Sequence, residues 1–448
     1  MASYVASSTT WSDCNSDFAP VDGDEITIAN DSFLLMDENS VVGETFSVII
    51  GDGSDLDLDG YTLAASVDGG VATQVLVTDG LLTGGITASG SMGVLLGTTG
   101  AIDGYVNADG NDIIWTGIGT LDCSTVATLD LGGSALGLSI EVSASTTIAT
   151  DITCLGFDHS AGTITCTGLP TISVGTGGFQ AGSTITSVGY RVVFTANTTF
   201  AKSLVTAERI TVESGVTINT SSSVNARNLT GSGTVNLGVN GWFMKSNADG
   251  WGAGWSGKFT STSGFLYFYN NGYDPQCVLE ATNLWFRTTA DKSVTLTKAL
   301  KVSGKLIIAS SAAGFKSTVI TPAAVKVGTL ILGNASGTGS GIFNTTGSVL
   351  VGGIKKGHAD NSQNALTLNE SYIECSGTFD GDGITITDTK DTVHINGRGT
   401  GTIQNVATNN QIHAHDFATY GSGATANTNV DEDEWATVNS SSLMGVGV

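Results

Sequence analysis

Proline is nearly missing from this chain, with 4 in 448 residues, and glycine, although there are 61, keeps no three-residue period. Collagen and proline-rich linkers are thereby excluded. None of the six cysteines forms a CxxC pair, so the usual zinc and dithiol motifs are absent. No apolar run approaches the roughly 20 residues a bilayer-spanning helix needs. Charged residues make up only 13%, yet hydrophobic ones reach 40% and recur throughout, which excludes a disordered chain. Lys, Glu and Gln are scarce while Gly, Thr, Val and Ile abound. That composition disfavours helices and favours strands. The fold class is all-β.

Basic residues are also missing from the first 190 positions. All 17 Lys and Arg lie at or after Arg191, whereas residues 1–190 hold 23 of the 41 acidic side chains. A segment with that balance cannot neutralise phosphates, which excludes nucleic acid as its partner. It suits a cationic partner, divalent ions or a saline medium, or it is simply a solubilising surface. Three regions follow: an acidic one at 1–190, a charge-balanced one at 191–430 with an aromatic-rich insertion at 242–286, and an acidic, polar tail at 431–448 that begins Asp431-Glu-Asp-Glu-Trp435. The start, MASYVASSTTWSDC, has neither a basic n-region nor an apolar h-region, so the expectation is synthesis in a cytoplasm without a cleavable secretory signal. The cysteines (Cys14, Cys123, Cys154, Cys166, Cys277, Cys375) are then expected as buried reduced thiols, with Cys154 and Cys166 close enough in a repeat to approach each other.

Apolar residues come in short alternating bursts. Val294, Leu296, Leu300, Val302, Leu306 and Ile308 share one parity, and Ile210/Val212, Val216/Ile218, Val235/Leu237, Val325/Val327, Leu330/Leu332, Val349/Val351, Ile384/Ile386 and Val393/Ile395 repeat the pattern. Each burst is a strand of 3 to 5 residues with one buried face. Asp59-Gly60, Asp79-Gly80, Asn271-Gly272 and Asn396-Gly397 would favour hairpins. The close, unbroken spacing of the bursts instead predicts a parallel β-helix, a solenoid with coils of about 20 to 25 residues.

Two stretches carry local resemblances. WSGKFTSTSGFLYF (Trp255 to Phe268) resembles autotransporter-associated β-helix repeats. The N-terminal W-S…P-V-D-G-D-E-I-T-I…D, at Trp11, Pro20, Gly23, Asp24, Ile26, Ile28 and Asp37, resembles the opening of G8-type β-helix domains. These resemblances imply a right-handed coil. In composition the whole chain resembles β-helical virion proteins of phages, of the tailspike, fibre or capsid-decoration type. That resemblance implies a virion location, assembly with other virion proteins, and a homo-oligomer, plausibly a trimer.

Three groups of residues are candidates for binding. In GDGSDLDLDG, Asp55, Asp57, Asp59 and Gly60 match the first half of an EF-hand loop, but the twelfth position is Ser66 where that loop needs Glu. Read as a strand, the segment turns Leu56 and Leu58 inward. Asp52, Asp55, Asp57 and Asp59 then form an acidic face, either solvated or relieved by Ca2+. Asp380, Asp382 and Asp388 repeat the idea more weakly. His413 and His415 lie on one strand face with His394 about one coil earlier, a spacing that permits a transition metal. Trp242, Trp251, Trp255, Tyr267, Tyr269, Tyr273 and Trp285 form an aromatic-rich group that would stack on sugars, anchor an interface, or pack the coil.

No catalytic set emerges. G-x-S-x-G, the P-loop and H-E-x-x-H are absent, and the acidic region has no Arg or Lys to serve as a lyase base. Carboxylates drawn from separate coils could still make a glycosidase. The leading expectation is a non-enzymatic virion element for particle architecture or host attachment, with no cofactor required, no nucleic acid and no membrane partner. The alternatives are a phage tailspike that binds or degrades a host surface polysaccharide, and a calcium-dependent adhesin or surface-layer subunit at the cell surface.

Overall fold

The structure, a computed structural model, describes residues 2–422 apart from 22, 41–46, 79, 97–99, 108–112, 118–119, 123–127, 131–134, 142–145, 149–150, 160–163, 167, 182–189, 202–208, 227, 245–253, 270–274, 322–323, 336–338, 358–362, 369–371, 389–392, 398–399, 407–411 and 416. Among these residues the chain is a β-solenoid of short strands with one eight-residue helix, Trp11–Phe18. No described helix is long and apolar enough to cross a membrane. Two compact units are formed, 1–218 and 219–448. Their division falls beyond residue 190, where the charge balance changes.

In the first unit, each strand pairs in parallel with the strand one coil on. Ser3 stands opposite Glu25, Glu25 opposite Ser47, and Ser47 opposite Ser66, so successive coils contain 22, 22 and 19 residues. Alternation buries one residue in two, and stacking at a rung spacing of about 4.8 Å sets like on like. Ile26, Val48, Val67, Ile86 and Val106 form one interior column. Leu34, Leu56, Val75 and Val94 form another on a separate six-stranded sheet. All nine are at most 1% exposed. At roughly 1.5–3 kcal/mol for each fully buried aliphatic side chain, these columns hold the coils together.

One of the hairpin signals, Asp59-Gly60, acquires a different use, and Asp79 and Asn271-Gly272 lie outside the described residues. Asp59 and Gly60 both adopt positive φ (42° and 86°), and Tyr61 N–H donates to the Leu58 carbonyl at 2.8 Å. This turn does not fold the chain back on itself. It carries the chain round a corner from the strand Asp55–Asp57 to Thr62–Gly69, which belong to different sheets.

The helix closes over the first coil. Thr10 caps its N-terminus by accepting from Asp13 N–H, and Ala19 ends it in the left-handed conformation (φ 43°). Trp11 and Cys14 are buried on its inner face, and Phe18 stacks on Tyr4 with ring centroids 4.9 Å apart.

In the second unit the inward parity read from sequence is the interior. Val294, Leu296, Leu300, Val302, Leu306, Ile308, Val325, Val327, Leu330, Leu332, Val349 and Val351 are all buried, whereas Ile386 is only half-buried. Coils here run longer: Leu300 stands opposite Val325 and Val325 opposite Val349, steps of 25 and 24 residues. The strands Leu300–Ser310, Val325–Leu332 and Val349–Lys356 each bend part-way, with a register shift between Val302 and Lys305, and so serve two sides of the coil. A five-stranded parallel sheet (Lys292–Thr295, Lys316–Thr321, Ser340–Thr345, Asn364–Leu368, Ile384–Asp388) forms a third side.

Five cysteines, Cys14, Cys154, Cys166, Cys277 and Cys375, are buried thiols that form no disulfide. Cys154 and Cys166 are not bonded to each other. Burial pushes the Cys154 thiol up to about 12. Cys123 lies outside the described residues.

Candidate binding groove

The acidic segment folds as a strand, with Leu56 and Leu58 buried and Asp55 and Asp57 half-exposed. Two of its carboxylates serve the local backbone: Asp52 Oδ1 accepts from Val71 N–H at 2.8 Å, and Asp57 Oδ1 from Asp59 N–H at 3.0 Å. Among the described residues, no three His, Cys, Asp or Glu side chains are grouped to hold a metal ion. Asp380 is likewise engaged, accepting from Asp382 N–H, Gln404 and Asn405. Partial burial opposes ionisation of its carboxyl, but these bonds and nearby Lys356 hold it below the usual range. His394 and His413 stand directly opposite on neighbouring coils, in the strands Val393–Gly397 and Ile412–His415. The side chains of His413 and His415 lie outside the described part.

Parity divides the aromatic group. Trp242 and Trp255 are 0% and 3% exposed and pack on buried Phe259 at 5.8 and 5.6 Å, so neither presents a ring face to solvent. Phe243, Tyr267 and Trp285 form an outward ladder on successive coils. Phe243 and Tyr267 stack at 4.5 Å with planes 5° apart, Tyr267 meets Trp285 at 5.7 Å, and the Arg287 guanidinium lies 5.3 Å from the Trp285 centroid. These faces are spent largely on one another. Farther along, Ile307 and Ile331 continue the ladder and are each 8% exposed. Of Tyr269 only the backbone is described, and Trp251 and Tyr273 lie outside the described residues.

A different side of the second unit carries a groove of about 870 Å³, lined by Lys258, Thr260, Glu280, Thr282, Lys301, Ser303, Lys326, Gly328, Leu350, Gly352 and Ser376 together with the buried residues beneath them. It follows from the ladder. Glu280, Lys301, Lys326 and Leu350 occupy the same outward position on successive coils, each between two inward apolar residues. The neighbouring outward position, where the strand bends, holds Thr282, Ser303, Gly328 and Gly352. At Gly352 a Cβ would stand 2.3 Å from the Gly328 carbonyl oxygen, and at Gly328 it would stand 2.4 Å from that of Ser303. The bend brings one coil too close to the last for any side chain, so here the groove floor is bare backbone.

Lys301 and Lys326 place like charges on adjacent rungs, about 4.8 Å apart at the backbone, and of the two only Lys301 has an acidic residue, Glu280, on its other neighbouring rung. Among the described residues no ion pair holds Lys258, Lys301 or Lys326; the nearby pair is Lys356 with Asp382 at 2.5 Å. Ser303 and Ser376 are exposed, and Thr282 Oγ1 accepts from Ser261 N–H at 3.2 Å. The arrangement offers cationic tips, hydroxyls and aliphatic lysine stems, with one carboxylate, Glu280, opposite Lys301.

The sequence reading missed this groove. Its lysines are dispersed at 258, 301 and 326, and only the coil length of 25 residues shows that two of them coincide. The signal was present in Leu300-Lys301-Val302 and Val325-Lys326-Val327, the same apolar–Lys–apolar triplet repeated. Comparison with known protein families, characterised proteins and solved structures finds no match.

Proposed function

We propose that the chain is a structural protein of a virion: a β-solenoid fibre, spike or capsid-decorating element that builds the particle, attaches it to a host surface, or both. One observation carries the reading. In each unit successive parallel coils stack on an apolar interior, which makes a scaffold whose sides display residues at a fixed pitch. Such a scaffold suits mechanical extension and display more than turnover of a small molecule. The composition supports the same reading through its resemblance to β-helical phage proteins. In this reading the protein works as a homo-oligomer beside other virion proteins, after synthesis in the host cytoplasm.

Electron microscopy of the purified assembly, with antibody labelling of particles from the producing cells, tests the proposal. The expected result is label on a virion projection or surface lattice. Unlabelled particles together with a lone monomer in solution would overturn it.

A further inference from the structure

We infer that the groove on the second unit binds an extended acidic polysaccharide, a chain of uronate or sulfated sugars. The inference stands apart from the virion reading, because the groove belongs to the chain whatever particle carries it.

The shape selects an extended ligand. From Lys258 to Ser376 the lining crosses six coils, about 24 Å at the rung spacing of a parallel sheet. A compact metabolite would fill only part of that length. The charge selects an anion. Three lysines line the groove with one glutamate: Lys301 stands opposite Glu280 on one adjacent rung and Lys326 on the other, so Lys326 is left between Lys301 and Leu350 with no acidic neighbour in register. A negative group beside Lys326 offsets the positive charge that Glu280 leaves unmatched.

The surface chemistry selects a sugar. Exposed Ser303 and Ser376 and the bare backbone at Gly328 and Gly352 are small polar contacts that let a polyhydroxylated chain lie close. The lysine stems and Leu350 supply apolar patches for ring C–H faces. An added peptide strand is disfavoured, because the backbone donors along this side are already bonded to the neighbouring coil, as in Leu300 N–H to Ala324 and Ser376 N–H to Val351. Single-stranded nucleic acid is disfavoured as well: the one aromatic residue in the lining, Phe259, is 2% exposed and offers no stacking platform.

The test measures binding of the full chain to polygalacturonate, to dextran sulfate and to neutral dextran by isothermal titration calorimetry at low and high salt. Binding to polygalacturonate, dextran sulfate or both is expected, weakening as salt rises, with none to dextran; which acidic polymer binds identifies the anionic group. The double variant Lys301→Gln/Lys326→Gln should bind at least tenfold more weakly. Ser303→Trp, which fills the groove and keeps every charge, should weaken binding as well. Both substitutions are at the surface, and circular dichroism with thermal melting verifies the fold of each variant. Absence of binding to both acidic polymers overturns the inference, as does undiminished affinity in either folded variant. Sedimentation is run in parallel. A self-association that the variants abolish, with no glycan bound, would make the groove an interface between copies and would also overturn it.

Discussion

Inside the first unit His159 and Tyr190, both 0% exposed, meet at 2.9 Å between imidazole Nε2 and phenol oxygen, packed among Phe157, Phe179, Phe194 and Phe200. Burial holds the Tyr190 phenol well above its ordinary range, so it stays neutral and bonded. Tyr190→Phe keeps the ring contacts and deletes one buried hydrogen bond. It should destabilise the protein by about 1–3 kcal/mol in equilibrium urea unfolding, and an unchanged midpoint would show that the pair adds nothing. No sequence pattern announced this pair. His159 and Tyr190 lie 31 residues apart, and nothing in Asp158-His159-Ser160 distinguishes a core histidine from a surface one. Inward valines and leucines were legible because alternation alone decides their side. Contacts between rungs need the coil length, which the sequence states only loosely.

The N-terminal cap shows what a whole element adds. Six of the seven residues that resemble a G8-type opening have a physical task here. Trp11, Ile26 and Ile28 are buried, and Gly23 takes φ 87°. Asp24 accepts from Ala2 N–H and Val21 N–H, and Asp37 accepts from the hydroxyl and N–H of Ser12. The Ala2 bond and then the Val21 bond hold the Asp24 carboxyl below the ordinary carboxylate range, and the Ser12 hydroxyl and N–H do the same for Asp37. A lowered native pKa means both carboxylates stabilise the cap above the unfolded value of about 3.9, and that this contribution is lost as pH falls through the native values. Asp24→Asn/Asp37→Asn should therefore be less stable than wild type at pH 7, with a shallower loss between pH 5 and pH 3. Amide exchange in the strand Ser3–Ala6 reports it, and parallel pH curves for the two proteins would refute the role. The sequence reading placed Trp11, Asp24 and Asp37 in one motif but assigned them no task, because a helix of eight residues within a strand-rich chain leaves little periodic signal.

At the scale of the molecule, the coils behave as repeats that gain stability mainly from their neighbours. In the second unit Leu330 sits between Leu306 and Ile354 in one interior column. Leu330→Ala should cost about 2–5 kcal/mol. Hydrogen exchange should rise first in the coils that hold Leu306 and Ile354, and less around Ile403. A uniform rise across the unit would mean that it unfolds as a single block.

The fold was legible from parity and spacing at this scale, whereas the groove was not. Its lysines gain meaning only once the ladder register sets Lys301 beside Lys326.

Coil length itself has a further consequence. Hydrogen bonds fix the rise from rung to rung, but the circumference is free: 19 residues separate Ser47 from Ser66, and 25 separate Leu300 from Val325. A corner such as Asp59-Gly60 can therefore accept a foreign peptide as a loop while the ladders on either side keep their register. The same tolerance gives evolution a dial for diversifying the outer decoration of a solenoid without renegotiating its interior.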